Sequence, residues 1–451
     1  MNHPVCRRVY DDRVRPSWYR NVAFWFVFLL LIQMLTFSHV PSAVAETFKD
    51  PAKPAVPPAP ALKLSMNDAL ALFLRQNLDL IMSGFGIDSA RGQQITARLF
   101  PNPVLSLTAV GSWTIGLKRS GQISPNVQQL FELAGKRGYR IESAAFGAQS
   151  AEANFEDAIR QLGFTLKDAY YRVQLAQRRL AIAEENRDRF ARILEINTIR
   201  FKKGYIAEVD LIRIRLQVVD FQSQVIQGIQ EGDTARNDLR ILLSLPPSTE
   251  LNLTTELDYH RIEPDIEQLR TFALETRPDI RAKRLAQSQR AADLKLAKAY
   301  RYPDITVGAG VALQGPQGPD NPQQLGMTLG VPLPIFNRNQ GGIAQAEVAV
   351  QVADADVRKT VLEAESQVDI AYRNLVQSRR LVEAYRDGVL EDARLTLTIA
   401  EKAYERGGAT ILDLLDAART SRAIQQNYIE TLFNYQRNVF LLESAVGREI
   451  S

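Results

Sequence analysis

The sequence predicts a mainly helical chain with a smaller β portion, built as one unit written twice, each unit joining a β-hairpin to a long helical hairpin. Three observations point there: a self-similarity at an offset near 200 residues, paired segments that alternate with period 2, and two stretches of about 65 residues without an interior proline. At an offset of 200, Asp79 meets Asp279, Pro103 meets Pro303, and Leu105, Leu107 and Ala109 meet Ile305, Val307 and Ala309. At 201, Asp168, Tyr171, Arg172, Arg178, Arg179 and Leu180 meet Asp369, Tyr372, Arg373, Arg379, Arg380 and Leu381. At 203, Gly204, Asp210, Leu211 and Gln222 meet Gly407, Asp413, Leu414 and Gln425. Three blocks in one order are hard to produce by accident.

Residues 1–45 read as an address, a signal peptide for export. Arginines precede an apolar run from Val22 to Phe37, and Ala43-Val44-Ala45 fits the small-residue rule for cleavage. The run falls short of the ~20 residues a spanning helix needs, so a retained anchor is the weaker reading. No cysteine stands at the cleavage site to take a lipid. Residues 46–63, with PAKPAVPPAP, lack the amide hydrogens for helix or central strand and read as an extended tether. The first unit then spans 64–246, a linker 247–263, and the second unit 264–451.

Each unit opens with a helical stretch (about 65–100 and 264–300) that proline closes. VLSLTAVGSW and ITVGAGVALQ alternate as strands, the loops LKRSGQISPN and GPQGPDNPQQ follow, and second strands return through VQQLFEL and LGMTLGVPL. From Gly138 to Lys203 and from Gln340 to Arg406 no proline interrupts, which at 1.5 Å per residue allows helices of roughly 100 Å. In the second run Ile343, Ala346, Val350, Ala353, Val357, Thr360, Ala364, Val368, Ala371 and Leu375 form a coiled-coil seam with small residues. Both runs break at glycine, Gly204 and Gly407-Gly408, after which a shorter helix returns.

Composition narrows the function. Of 451 residues, 45% are hydrophobic and 24% charged, enough to bury a sizeable core. Beyond residue 45 the chain holds 50 basic against 49 acidic side chains, so it lacks the basic surplus that nucleic acid requires. Its single cysteine is Cys6, and His260 is the one histidine after residue 45, which excludes disulfides, thiol catalysis and His/Cys zinc sites there. No cofactor is expected. No nucleophile-base pair or phosphate loop argues for an enzyme.

Four strands cannot close a barrel, and closed barrels begin near eight, so several chains must contribute: two copies are the minimum, and three would give twelve strands. Strands of about ten alternating residues match the length that crosses an outer membrane and contacts its lipid. A ring of strands continued by a ring of long helical hairpins is a tube reaching into the periplasm.

The order of elements, the duplication, RLFPNPVLSL, FELAGKRGYRI, PLPIFNRNQGGIAQAE and the two glycine tips resemble the TolC family of outer-membrane efflux proteins. FELAGKRG and PLPIFNRNQG are most similar to its CzcC-type branch, associated with cobalt, zinc and cadmium. The match covers about residues 62–450. The resemblance implies a homotrimeric channel-tunnel with a twelve-stranded barrel, docked in the periplasm onto an adaptor (membrane fusion) protein and an inner-membrane pump of the resistance-nodulation-division type. It implies entrance aspartates at Asp413, Asp416 and Asp210, and a gating tyrosine at Tyr404 placed to bond Asp210 across neighbouring hairpins. A family arginine that locks the closed state falls on Ala409 here, and Arg213 occupies the counterpart of Asp416. The plain alternative for Asp413 and Asp416 is helix capping against the macrodipole. Gly204 and Gly407 would end helices in the left-handed conformation, and together with Gly408 they leave bare tips for the adaptor contact that the resemblance implies. The same fold could serve drug efflux or protein secretion; a non-channel periplasmic adaptor is the alternative of a different class.

Overall fold

The computed structural model describes residues 62–111, 121–314 and 324–450. The expected signal segment 1–45, nearly all of the tether and the hairpin loops at 112–120 and 315–323 lie outside the described residues. The elements are β1 (Leu62–Leu64), α1 (Met66–Gln76), α2 (Leu78–Arg98), β2 (Val104–Gly111), β3 (Gly121–Phe131), α3 (Lys136–Lys202) and α4 (Glu208–Leu242). Then come β4 (Leu251–Leu253), α5 (Ile266–Thr276), α6 (Pro278–Ala299), β5 (Ile305–Gln314), β6 (Gln324–Gly330), α7 (Gln340–Ala384), α8 (Leu390–Glu405) and α9 (Ile411–Val446). With 67 residues, α3 runs roughly 100 Å.

The four long strands form one antiparallel sheet in the order β2-β3-β5-β6. Register places Leu105 opposite Val127, Val127 opposite Ala309 and Ala309 opposite Met327. Directly paired residues point the same way, so one face collects Leu105, Leu107, Ile123, Val127, Val307, Leu313, Leu325, Met327 and Leu329, all exposed. The opposite face collects Ser106, Thr108, Asn126, Gln128, Gly308, Gly310 and Thr328. A Cβ at Gly310 would stand 2.6 Å from the Pro125 carbonyl oxygen, and one at Gly308 2.9 Å from Gln128 Cγ. The polar face is thus crowded where the apolar one is open.

Sequence and structure part at several elements. Each opening helical stretch is two helices, broken at Asn77 and at Arg277, because these residues adopt extended backbone (φ −62°, ψ 124°). β3 begins at Gly121, inside the segment expected to be loop, and tolerates Pro125 by leaving Ser124 and Pro125 unpaired with β5. The end of the tether and the linker pair as a short parallel ladder, β1 with β4. The second long run is interrupted by a π-type turn at Tyr385–Val389, where Gly388 takes φ 111°. The seam of α7 lies as expected: all ten residues are buried or half-buried.

The two breaks are equivalent at the level of single bonds. Asn77 Nδ2 donates to the Leu242 carbonyl (2.8 Å) and Arg277 Nη1 to the Ala445 carbonyl (2.9 Å), closing each returning helix on the start of its unit. Gln76 reaches Leu243, as Thr276 Oγ1 reaches Val446 (3.0 Å). Arg277 is buried and grips Asp279 with two nitrogens (3.0 and 2.6 Å). Burial raises the Asp279 pKa, but the Arg277 bonds override it and hold the carboxyl below its ordinary range. One apolar core joins these levels, centred on Phe73, Leu166, Tyr170, Leu239, Leu375 and Tyr435.

The sheet meets the helices through FELAGKRG. Ala134 (φ 57°) and Gly135 (φ 73°) turn the chain from β3 into α3. Lys136, 2% exposed, donates to the Tyr302 carbonyl and to Asp304 Oδ1, both at 2.7 Å. Asp304 Oδ1 also accepts from the Leu133 amide (2.9 Å). Arg140 grips both oxygens of Glu132 (2.6 and 2.9 Å), which lowers that carboxyl's pKa. Removing one member of a buried pair costs about 3 kcal/mol or more, whereas replacing both by apolar groups is often neutral. Lys136→Met should therefore lower the thermal midpoint of detergent-extracted protein by several degrees, and Lys136→Met with Asp304→Leu should recover most of the loss. Melting followed by circular dichroism checks both variants.

Candidate functional site

The candidate site is the pair of hairpin tips where α3 turns into α4 and α8 into α9. Both turns close in the same way. Gly204 (φ 75°) and Gly407 (φ 77°) sit just past the helix ends in the left-handed region. Beyond them the Tyr205 amide donates to the Arg200 carbonyl (2.9 Å) and the Gly408 amide to the Ala403 carbonyl (2.8 Å), which satisfies carbonyls that a helix end leaves open. Gly408 itself is not in the left-handed region.

The next helices differ at their first turns. Thr410 and Asp413 form a reciprocal capping box: Thr410 N and Oγ1 donate to Asp413 Oδ2 (2.8 and 2.7 Å), and the Asp413 amide donates to Thr410 Oγ1 (3.2 Å). These bonds hold the Asp413 carboxyl below its ordinary pKa. Asp210 occupies the same third position, but Ala207 precedes it as cap and offers no hydroxyl. Its carboxylate instead meets Arg213 Nη1 at 3.3 Å. Asp416, one turn beyond Asp413, is exposed.

Tyr404 does not bond Asp210 within the protomer. Its hydroxyl donates to Asn197 Oδ1 (2.8 Å), and Asn197, 1% exposed, donates in turn to the Ile193 carbonyl (2.8 Å). Side chains bridge α8 to α3 at a second point as well, where Arg189 Nη1 donates to Glu401 Oε1 (3.0 Å). Burial raises the Tyr404 pKa; the nearby Arg200 guanidinium works against it, and Asp210 adds to it. Arg200 Nη2 also donates to the Glu405 carbonyl (3.0 Å), tying the two tips together. Below them Phe190, Ile214, Phe221, Leu397, Leu414 and Ala418 form a separate small core. An open cleft of about 630 Å³ runs between the tips, lined by Arg200, Asp210, Arg213, Tyr404, Gly407 and Ala409 among others. Gly204, Gly408, Asp413 and Asp416 lie outside its lining. The structure thus brings Asp210, Tyr404 and Gly407 together and keeps Asp413 and Asp416 on the exposed start of α9.

Asn197 and Arg200 had no assigned role in the sequence. A polar residue in the apolar rhythm of a long helix was the one signal for Asn197. Among the described residues, no group of three or more His, Cys, Asp or Glu is placed to hold a metal ion.

The model of the family described as outer membrane efflux protein matches residues 69–244 and 269–448. The chain belongs to that family. It is similar to the cobalt-zinc-cadmium resistance protein CzcC of Cupriavidus metallidurans, 26% identical over 88% of this chain and 93% of that one. It is similar also to the cation efflux system protein CusC of Escherichia coli K12, 24% identical over 83% of this chain and 84% of that one. A solved CusC structure superposes with a TM-score of 0.71 at 21% identity, over 85% of this chain and 92% of that chain. The fold is the channel-tunnel fold of the TolC family, and the protein is an efflux channel component of the outer membrane.

In this efflux protein the tip residues support a stability test. Tyr404→Phe orphans the buried Asn197 oxygen, at a cost of about 1–3 kcal/mol. Amides of residues 193–204 should exchange faster with deuterium in that variant, and Tyr404→Phe with Asn197→Leu should restore protection. Acid should loosen the α9 cap as well: a carboxyl with lowered native pKa stabilises above its unfolded pKa, and that contribution is lost as pH falls through the folded value.

Proposed function

We propose that this chain is the passive exit duct of a tripartite efflux system, a homotrimer that receives its substrate from a periplasmic adaptor and an inner-membrane pump of the resistance-nodulation-division type. The observation that supports it most is the sheet with one apolar face and one polar, glycine-bearing face, continued by helical hairpins far longer than a compact core needs. Twelve such strands from three copies would put the apolar face against lipid and the polar face around water. The duct does no chemistry; the pump supplies the energy.

Heavy-metal cations are the proposed cargo. CzcC and CusC are named for cobalt, zinc and cadmium resistance and for cation efflux, and the entrance of this chain suits cations. Asp413, Asp416 and Asp210 form the proposed periplasmic constriction with Tyr404 behind it, and the tip glycines Gly204, Gly407 and Gly408 are the proposed adaptor contact. Arg213 offsets Asp210, so the net field of the ring would come from Asp413 and Asp416. A divalent cation about 7 Å from one carboxylate in water gains about 1.2 kcal/mol, nearly tenfold in dissociation constant before screening by salt.

Asp413→Asn with Asp416→Asn should raise, several-fold, the concentration of Co²⁺ or Mg²⁺ that halves single-channel conductance from the periplasmic side, with oligomer size unchanged. Equal block in parent and variant would reduce both acids to helix caps. A stable monomer in gentle detergent would sink the tube.

A further inference from the structure

The apolar face of the sheet ends, on the helical side, in a hollow of about 590 Å³ lined by Leu133, Ala134, Tyr302, Pro303, Ile305 and Val331. Ile305 begins the apolar row of β5, while Leu133 and Val331 follow the last residues of β3 and β6, so the hollow continues the exposed row through Val307, Leu313 and Leu329. Beside it the segment PLPIFNRN exposes Leu333 (74%), Ile335 (62%) and Phe336 (90%). Asn339 Nδ2 donates to the Ala297 carbonyl (2.8 Å), which seats this segment against the end of α6, next to the exposed Arg301 and Tyr302. Arg338 is exposed too, its Nε folded onto the Pro334 carbonyl (3.1 Å). An apolar lining is thus adjoined in the chain by two segments, 301–302 and 332–339, that carry exposed aromatic side chains and two exposed arginines.

We propose that this hollow seats one phospholipid of the leaflet at the helical end of the sheet, with an acyl chain in the hollow and the headgroup phosphate between Arg301 and Arg338. The inference rests on the outer-membrane channel reading. An apolar seat alone would suit any hydrophobic partner; the flanking arginines suit phosphate, which guanidinium binds through paired N–H donors. Tyr302 and Phe336 stand where amphipathic and aromatic side chains concentrate at a membrane interface. A second copy would extend the sheet through its unpaired edges β2 and β6, in the plane of the strands. Four of the six lining residues, Leu133, Ala134, Tyr302 and Pro303, lie beyond the strand ends and take no part in strand pairing.

The test is native mass spectrometry of the full chain in mild detergent, titrated with phosphatidylglycerol. The parent should retain bound lipid at detergent concentrations where Arg301→Gln with Arg338→Gln has lost most of it, and millimolar inorganic phosphate should not displace the lipid. Equal retention by parent and variant overturns the seat, as does displacement by free phosphate. Disulfide cross-linking between copies of a Phe336→Cys, Leu105→Cys double variant, which pairs the β6 side of one copy with the β2 edge of the next, would overturn it too, assigning the surface to a neighbouring chain. Quenching of Leu329→Trp by lipids brominated in their acyl chains, read as the difference from the parent, reports insertion independently of the seat. Quenching with unchanged lipid retention defeats the seat alone; absence of quenching defeats the membrane reading itself.

Discussion

A sheet face that the protomer leaves bare constrains everything else in the molecule. Leu325, Met327 and Leu329 are each at least 70% exposed, and burying such a side chain is worth about 1.5–3 kcal/mol. The edges β2 and β6 add two rows of unpaired backbone groups. Neither feature is tolerable for a chain alone in water, and lipid on one face with strand neighbours at the edges would resolve both. The register then fixes where the helices go. Phe131 pairs with Ile305 and Gly330 with Thr306, so both hairpins return to the same end of the sheet, and α3 and α7 start there. The buried Lys136–Asp304 pair locks that end, linking the start of α3 to the start of β5.

Duplication made much of this legible, because two copies of a pattern reinforce each other. The seam of α7, the tip glycines and the first strands β2 and β5 are periodic or punctuated by glycine and stand where the sequence places them, whereas β3 starts earlier, at Gly121. The helix breaks at Asn77 and Arg277 were hidden for a physical reason: they depend on carbonyls some 165 residues further along, at Leu242 and Ala445. Pro278 at the first turn of α6 was a local hint for one of them, and its counterpart Leu78 gave none. The short β1–β4 ladder and the Tyr404–Asn197 bond are likewise long-range, so no local pattern announces them. Gly388 was in plain view, but a single glycine in a helical run is ordinary until its φ of 111° is seen.

The copies also differ, and the differences fall at the distal end. In the first unit α3 runs unbroken to its tip, whereas in the second the helix is interrupted at Tyr385–Val389 before α8 continues. Just before that turn Tyr259 donates to Glu383 Oε1 (2.7 Å), so burial and the carboxylate together push the phenol up to about 12. Arg379 reaches Glu263 and the Ile262 carbonyl in the same strap. The linker between the units therefore grips the second helix above its interruption, and the segment below is held chiefly by the small tip core.

At the tip, capping and long-range charge are compatible roles for one carboxylate. Both hydrogen bonds from Thr410 end on Asp413 Oδ2, which leaves Oδ1 to solvent. The same bonds lower the pKa, so the cap keeps the group ionised further into acid than a free aspartate would be. At the equivalent place in the first unit an alanine cap leaves Asp210 to Arg213, and the pair is close to neutral. Replacing a threonine by an alanine and an aspartate by an arginine between two copies of one turn thus converts a negative helix start into a neutral one. In any ring built from these protomers the two kinds of tip would alternate, and its charge would be concentrated on the second.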